Sequence, residues 1–164
     1  MKIKDKKAFV IYLLLTVVLW QLCISLAKII TSPYMMLRDY NNPLFTVTIA
    51  KNTGSAFGMF ENNPYILAIL GAIVILFIVF YVYRYITFND KIKILFASIF
   101  TSGILGNTIE RFASGYVTDY IKLTFINFPV FNLYDILISL SVILFVVLTL
   151  RDEYIKKRFK KRGN

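Results

Sequence analysis

Histidine is absent from the 164 residues, and cysteine occurs once, at Cys23. Without histidine or a cysteine cluster no ordinary zinc site can be assembled, and a lone thiol closes no internal disulfide. Imidazole general-base chemistry is excluded as well. Acids are scarce, nine against nineteen lysines and arginines, and charged residues make up only 17% of the chain while hydrophobic ones make up 58%. Chemistry in this chain must therefore come from carboxylates, lysines, hydroxyls or amides, and neither a metal nor a cofactor is expected. The net charge of +10 would suit nucleic acid. A soluble nucleic-acid binder would not spend most of its length on unbroken apolar runs, so that partner is excluded and a membrane takes its place.

Four apolar stretches stand out, at about residues 8–27, 65–83, 94–109 and 133–150. The first two are twenty and nineteen residues without a charge. The third is softer, with Ser98, Thr101, Ser102, Gly103, Gly106 and Asn107, and the fourth holds Asp135 near its start. About twenty helical residues cross a hydrocarbon core of roughly 30 Å, so the pattern predicts an all-α integral membrane protein with four transmembrane helices in one domain. "MKIKDKK" before the first run resembles the start of a cleavable signal peptide, but the run is too long and three more spans follow. Leu22 fills the position before Cys23 where a lipobox needs a small residue, so Cys23 is expected as a buried apolar filler.

The N-terminal tail, the connection between spans two and three and the C-terminal tail together hold fourteen of the nineteen basic residues, among them Lys2, Arg84 and Lys156. Four spans put these three segments on one side, and the positive-inside rule makes that side cytoplasmic. The connections 28–64 and 110–132 then face outward at the cell membrane. They are more than linkers: "LFTVTIAKNTGSAFGMF" opens with β-branched and aromatic residues at Phe45 to Ile49, turns at Asn52-Thr53-Gly54 and continues to Phe57 and Phe60. "GYVTDYIKLTFINFPVFNLYD" also favours extended structure. The expected result is a small extracytoplasmic β-like cradle able to hold an extended peptide against membrane lipids.

Most of the acids have plain explanations. Asp5, Asp90, Asp152 and Glu153 sit among basic residues, and Asp39 and Glu61 lie in the polar part of the first connection. Glu110, Asp119 and Asp135 remain, all near the outer ends of spans three and four. Taken singly, Asp135 favours the positive end of its helix dipole and Asp119 is a loop aspartate. Together, in the apolar flanks "GYVTDYI" and "FNLYDILI", they are two costly charges converging on one place. Two carboxyls in one dry pocket cannot both ionise cheaply, so one keeps a proton and an acid stands beside a base. Such a pair activates water against a peptide carbonyl without metal or nucleophile. Asn52, Asn107 and Asn132 supply neutral hydrogen-bonding groups, and Arg111 is available for Glu110, a carboxylate or a lipid phosphate, or for snorkelling to the interface.

"KNTGSAFG" at Lys51 to Gly58, "GNTIER" at Gly106 to Arg111, "VTDYI" at Val117 to Ile121 and "FNLYD" at Phe131 to Asp135 resemble, in order and spacing, the signature blocks of bacterial lipoprotein signal peptidase, or signal peptidase II. The resemblance implies a membrane aspartyl endopeptidase that removes the signal peptide from a diacylglyceryl-modified prolipoprotein, cutting before the lipidated cysteine. It implies Asp119 and Asp135 as the catalytic pair, Asn52, Asn107, Arg111 and Asn132 as polar residues lining the site, and Gly54 and Gly103 as its small positions. The chain departs from the family where an Asp-Gln and a lysine are usual in the first span. Trp20-Gln21-Leu22-Cys23-Ile24 stands there, with Lys28 one turn later as a substitute for the lysine. Glu110 replaces a usual aspartate, and Tyr134 occupies a place normally held by a small residue. A non-catalytic membrane protein that binds lipidated peptides is the alternative. A small transporter would need polar residues near mid-membrane, whereas those of these spans are read at the outer ends.

Overall fold

The computed structural model describes residues 4–33, 43–54, 60–61 and 63–162, with the backbone alone for 152–153, 155–157 and 159–162. Lys2, Asp39, Phe57 and the 55–58 part of the first block lie outside the described residues, as does the Lys156 side chain. The described residues form helices α1 (Lys6–Ile30), α2 (Pro64–Tyr85), α3 (Lys91–Ser114) and α4 (Leu133–Arg162), with strands β1 (Phe45–Asn52) and β2 (Val117–Leu123). All four helices are long and apolar enough to cross a membrane, α4 through its Leu133–Arg151 part. The strands pair antiparallel as a two-stranded sheet at one end of the bundle.

The helix ends follow local chemistry. Asp5 caps α1 by accepting from Ala8 N at 3.2 Å, and its other oxygen accepts from Phe88 N at 2.8 Å, tying the start of the chain to the α2–α3 connection. Pro64 opens α2 at a position where a missing N–H costs nothing. Gly115 closes α3 in the left-handed region at φ 75°, its N–H returning to Arg111 O. The helix therefore runs past the apolar stretch that ends at Ile109. Glu110 and Arg111, expected on the connection, are helical, because polar residues do not stop a helix and a left-handed glycine does.

α3 is the centre of the bundle and packs on α1, α2 and α4. Its apolar window is 56% buried, against 17%, 11% and 11% for the other three helices. Small residues permit this: a Cβ on Gly103 would stand 2.7 Å from Tyr134 O of α4. On the α1 side, Tyr12 Oη and Thr101 Oγ1 lie 2.9 Å apart, Ser98 Oγ donates to Tyr12 O and Ser102 Oγ donates to Thr16 O. Polar groups thus occur within the spans and not only at one end. Each of these hydroxyls is spent on a neighbouring helix or on its own backbone, so they bind helices together and line no path.

Candidate active site

Asp119 lies in β2 opposite Ala50 of β1 and is 2% exposed. Asn52, two residues beyond Ala50, points to the same face of the sheet, and its Nδ2 donates to Asp119 Oδ2 at 2.9 Å. The Asn52 amide oxygen accepts from Gly54 N at 3.0 Å and so closes the turn that follows the strand. Arg111 Nη2 in turn donates to Gly54 O at 2.7 Å.

Asp135 enters from the first turn of α4. Asn132 Oδ1 accepts from Asp135 N at 3.1 Å while Asp135 Oδ2 accepts from Asn132 N at 3.1 Å, a reciprocal capping box that sets the carboxyl over the helix start. Asp135 Oδ1 accepts from Asn107 Nδ2 of α3 at 2.8 Å. Both hydrogens of Asn132 Nδ2 are also used, one on Asp119 Oδ1 at 2.8 Å and one on Asn107 Oδ1 at 3.1 Å. One buried asparagine, 1% exposed, is thereby bonded to both carboxyls and to the third amide.

The electrostatics follow from the partners. The carboxyls are held by neutral N–H donors, and neither has an ion pair among the described residues. Arg111, 9% exposed, does not snorkel and does not pair with Glu110. Its bonds go to Gly54 O and, at 3.4 Å, to Asn107 O, and its Nε has no hydrogen-bond partner among the described residues. Glu110 accepts instead from Thr118 N at 2.8 Å, pinning β2 to the end of α3. Burial pushes the Asp119 pKa up to about 6, and the nearby Asp135 charge adds to the rise. The Asn52 and Asn132 amides and the Arg111 charge oppose it. The site favours one negative charge over two.

A cavity of about 1040 Å³ opens on this group. Its polar end holds Asn52, Gly54, Asn107, Arg111, Asp119 and Asp135, and its apolar part descends between Leu67 and Gly71 of α2 and Leu140 and Ile143 of α4. The cavity thus joins a polar end that holds the two acids to an apolar slot between α2 and α4.

Residues 8–151 match the family model described as Signal peptidase (SPase) II. The chain belongs to the signal peptidase II family. Similar relatives include the lipoprotein signal peptidase of Clostridium tetani, 33% identical over 66% of this chain and 71% of the relative, and that of Lactococcus lactis, 32% identical over 69% and 74%. Among solved structures, a bacterial membrane enzyme determined by the in meso method at 2.3 Å resolution superposes with a TM-score of 0.74, covering 93% of this chain and 94% of that one at 24% identity, and so shares the fold.

Within this signal peptidase II fold the residues picked out from the sequence fall into two groups. Asn52, Gly54, Asn107, Arg111, Asp119, Asn132 and Asp135 converge at one end of the bundle. Gly103 stands apart, in the contact between α3 and α4, where it allows the backbones to approach. Lys28 is exposed in the last turn of α1 and is not among the cavity-lining residues. Cys23 is buried and free. The departures at Trp20 and Tyr134 meet: the Tyr134 ring lies on Gly106, and its hydroxyl interacts with the Trp20 side chain. A bulky residue in place of a small one is thus accommodated by a glycine on α3 and an indole on α1. Gly106 could have been suspected from its place in "GNTIER", one residue before Asn107. Tyr120 was missed, since a tyrosine in a strand carries no signal of where its hydroxyl ends.

Proposed function

We propose that the chain is a membrane aspartyl endopeptidase that removes signal peptides from diacylglyceryl-modified prolipoproteins, cleaving before the lipidated cysteine. The observation that carries this reading is the bonding of Asp119 and Asp135 to one buried asparagine. It ties two acids in a setting that favours a shared proton, beside a cavity that is polar at one end and apolar along the membrane.

The ionised carboxyl of the pair takes a proton from a water molecule as that water attacks the scissile carbonyl, and the protonated carboxyl donates to the carbonyl oxygen. The tetrahedral intermediate collapses as the nitrogen of the leaving peptide is protonated, and the pair returns to its starting charge. Asn107 and Asn132 orient the two carboxyls. Asn52, Gly54 and Arg111 hold the turn along which the substrate backbone lies, and Gly103 sets the helix spacing beneath. The apolar slot receives the membrane segment of the substrate or its acyl chains.

The bonds from Lys4 N to Tyr83 O and from Phe88 N to Asp5 put the chain start and the α2–α3 connection at one end of the bundle, away from the site. Together with the clustered basic residues, this supports cytoplasmic termini in a bacterial cell membrane and a site at the outer leaflet.

The test is incubation of the purified protein in detergent with a diacylated prolipoprotein, read as a mobility shift on a gel. Cleavage of the lipidated substrate, with none of an unlipidated control, supports the reading. Asp119→Asn and Asp135→Asn are expected to lose turnover by a thousandfold or more while still binding substrate. Unchanged processing by either variant would leave the carboxyl pair without a role and favour a different mechanism.

A further inference from the structure

Tyr120 follows Asp119 in β2, is 4% exposed, and has no part in the chemistry above. Its hydroxyl oxygen accepts from Leu133 N at 3.2 Å, the first amide of the helix that carries Asp135. The same strand holds the preceding residues by other means. Tyr120 N and Ile121 N both donate to Phe131 O, at 3.1 and 2.8 Å, Phe131 N donates back to Ile121 O, and the Asp119 carboxyl takes a bond from Asn132. Phe131, Asn132 and Leu133 are therefore each bonded to β2, by backbone, carboxyl and phenol in turn.

We infer that Tyr120 is a positioning residue for Asp135, its hydroxyl fixing the start of α4 against the strand that carries Asp119 and so setting how the two carboxyls face each other. The inference rests on the aspartyl reading above. A phenylalanine would fill the same space without burying a hydroxyl, and burying one is costly unless it makes a bond. The start of α4 is already capped by Asn132, so the Leu133 bond adds a tie between strand and helix. Cys23 of α1, Glu110 of α3 and Asp135 of α4 are the titratable groups that act on the phenol. Burial pushes its pKa up to about 12, so it remains a neutral O–H throughout the working range.

The experiment compares Tyr120→Phe with the parent protein in detergent on a diacylated prolipopeptide, measuring kcat, KM and the pH profile alongside thermal unfolding. The expected result is a fall in kcat of about tenfold with KM within about twofold, as for a displaced catalytic group. The alkaline limb is expected to move to lower pH, because an Asp135 freed to shift away raises its partner's pKa less. Unchanged kcat and pH limb, with at most a lower unfolding temperature, would overturn the inference by reducing Tyr120 to a packing residue. If Tyr120→Phe does not fold, Leu133→Pro takes its place with the same two outcomes, read against Leu133→Ala, since proline fits the first helical position and removes the N–H donor whereas alanine removes the side chain and keeps it. Retained turnover in Asp119→Asn or Asp135→Asn would overturn the aspartyl reading and this inference together. Inactive aspartate variants beside a fully active Tyr120→Phe would overturn this inference alone.

Discussion

Asn132 and Asp135 bond each other twice, the side chain of each accepting from the backbone N–H of the other at 3.1 Å. The box caps α4 and at the same time aims a carboxyl, so stability and the proposed chemistry depend on the same atoms. Because the Asn132 amide also donates to Asp119, the position of one acid is conditioned on that of the other.

Asn132→Ala should therefore fail in two separable ways. Losing the cap is expected to cost about 1–2 kcal/mol, seen as a lower unfolding temperature in detergent. Turnover should fall by about a hundredfold as both carboxyls lose their common donor. Asn132→Ser restores a capping oxygen but not the two N–H donors, and should recover stability while leaving activity low. Equal recovery of both would show that the cap alone matters.

The pH dependence follows from Asp119. Its pKa is raised from 3.8 to about 6, so between those values the folded protein holds a proton that the unfolded chain has released. Stability then falls as pH rises from about 4 to about 6, by up to roughly 3 kcal/mol, and is flat on either side as far as this group is concerned. Asp119→Asn should remove that slope in pH-dependent unfolding. Activity should decline above about pH 6 in the free enzyme as the proton shared by the pair is lost, giving an alkaline limb in kcat/KM that belongs to the pair.

Gly106 and Tyr134 make a reciprocal pair. A Cβ on Gly106 would overlap the Tyr134 ring, so Gly106→Ala is expected to destabilise by about 1–3 kcal/mol through overpacking. Tyr134→Ala loses its own buried packing, but in that background the Gly106→Ala change should cost much less in thermal unfolding, because the ring it would strike is gone. An undiminished cost of Gly106→Ala in the Tyr134→Ala background would mean that the glycine is needed for something other than the ring.

Arg111 reaches two carbonyls with one planar fork, Gly54 O and Asn107 O. Lysine cannot span both, so Arg111→Lys should loosen the turn after β1 while keeping the charge. The expected outcome is a rise in KM of about tenfold with a smaller change in kcat. A variant that loses kcat alone would place the guanidinium at the reacting atoms.

Hydropathy and charge were enough for the four membrane helices, because a hydrocarbon core sets span length regardless of how helices pack. Asp119 and Asp135 were legible for a related reason: an ionised group among apolar neighbours is expensive, and the expense shows in the residue string. The turn at Asn52 to Gly54 and the extended tendency of the second connection were likewise local. The end of α3 was misjudged because composition marks where apolar residues stop, whereas the helix stops at the left-handed Gly115. What no local pattern could supply was the wiring. That Asn132 serves both acids, that Arg111 turns to backbone carbonyls and not to Glu110, that Gly103 packs helices while Asn107 bonds Asp135, and that Tyr120 reaches the start of α4 all depend on how helices rotate and strands register. Those are set when residues far apart in the chain pack together, since a hydrogen bond needs its two atoms within about 3 Å, a condition that only the folded chain can meet.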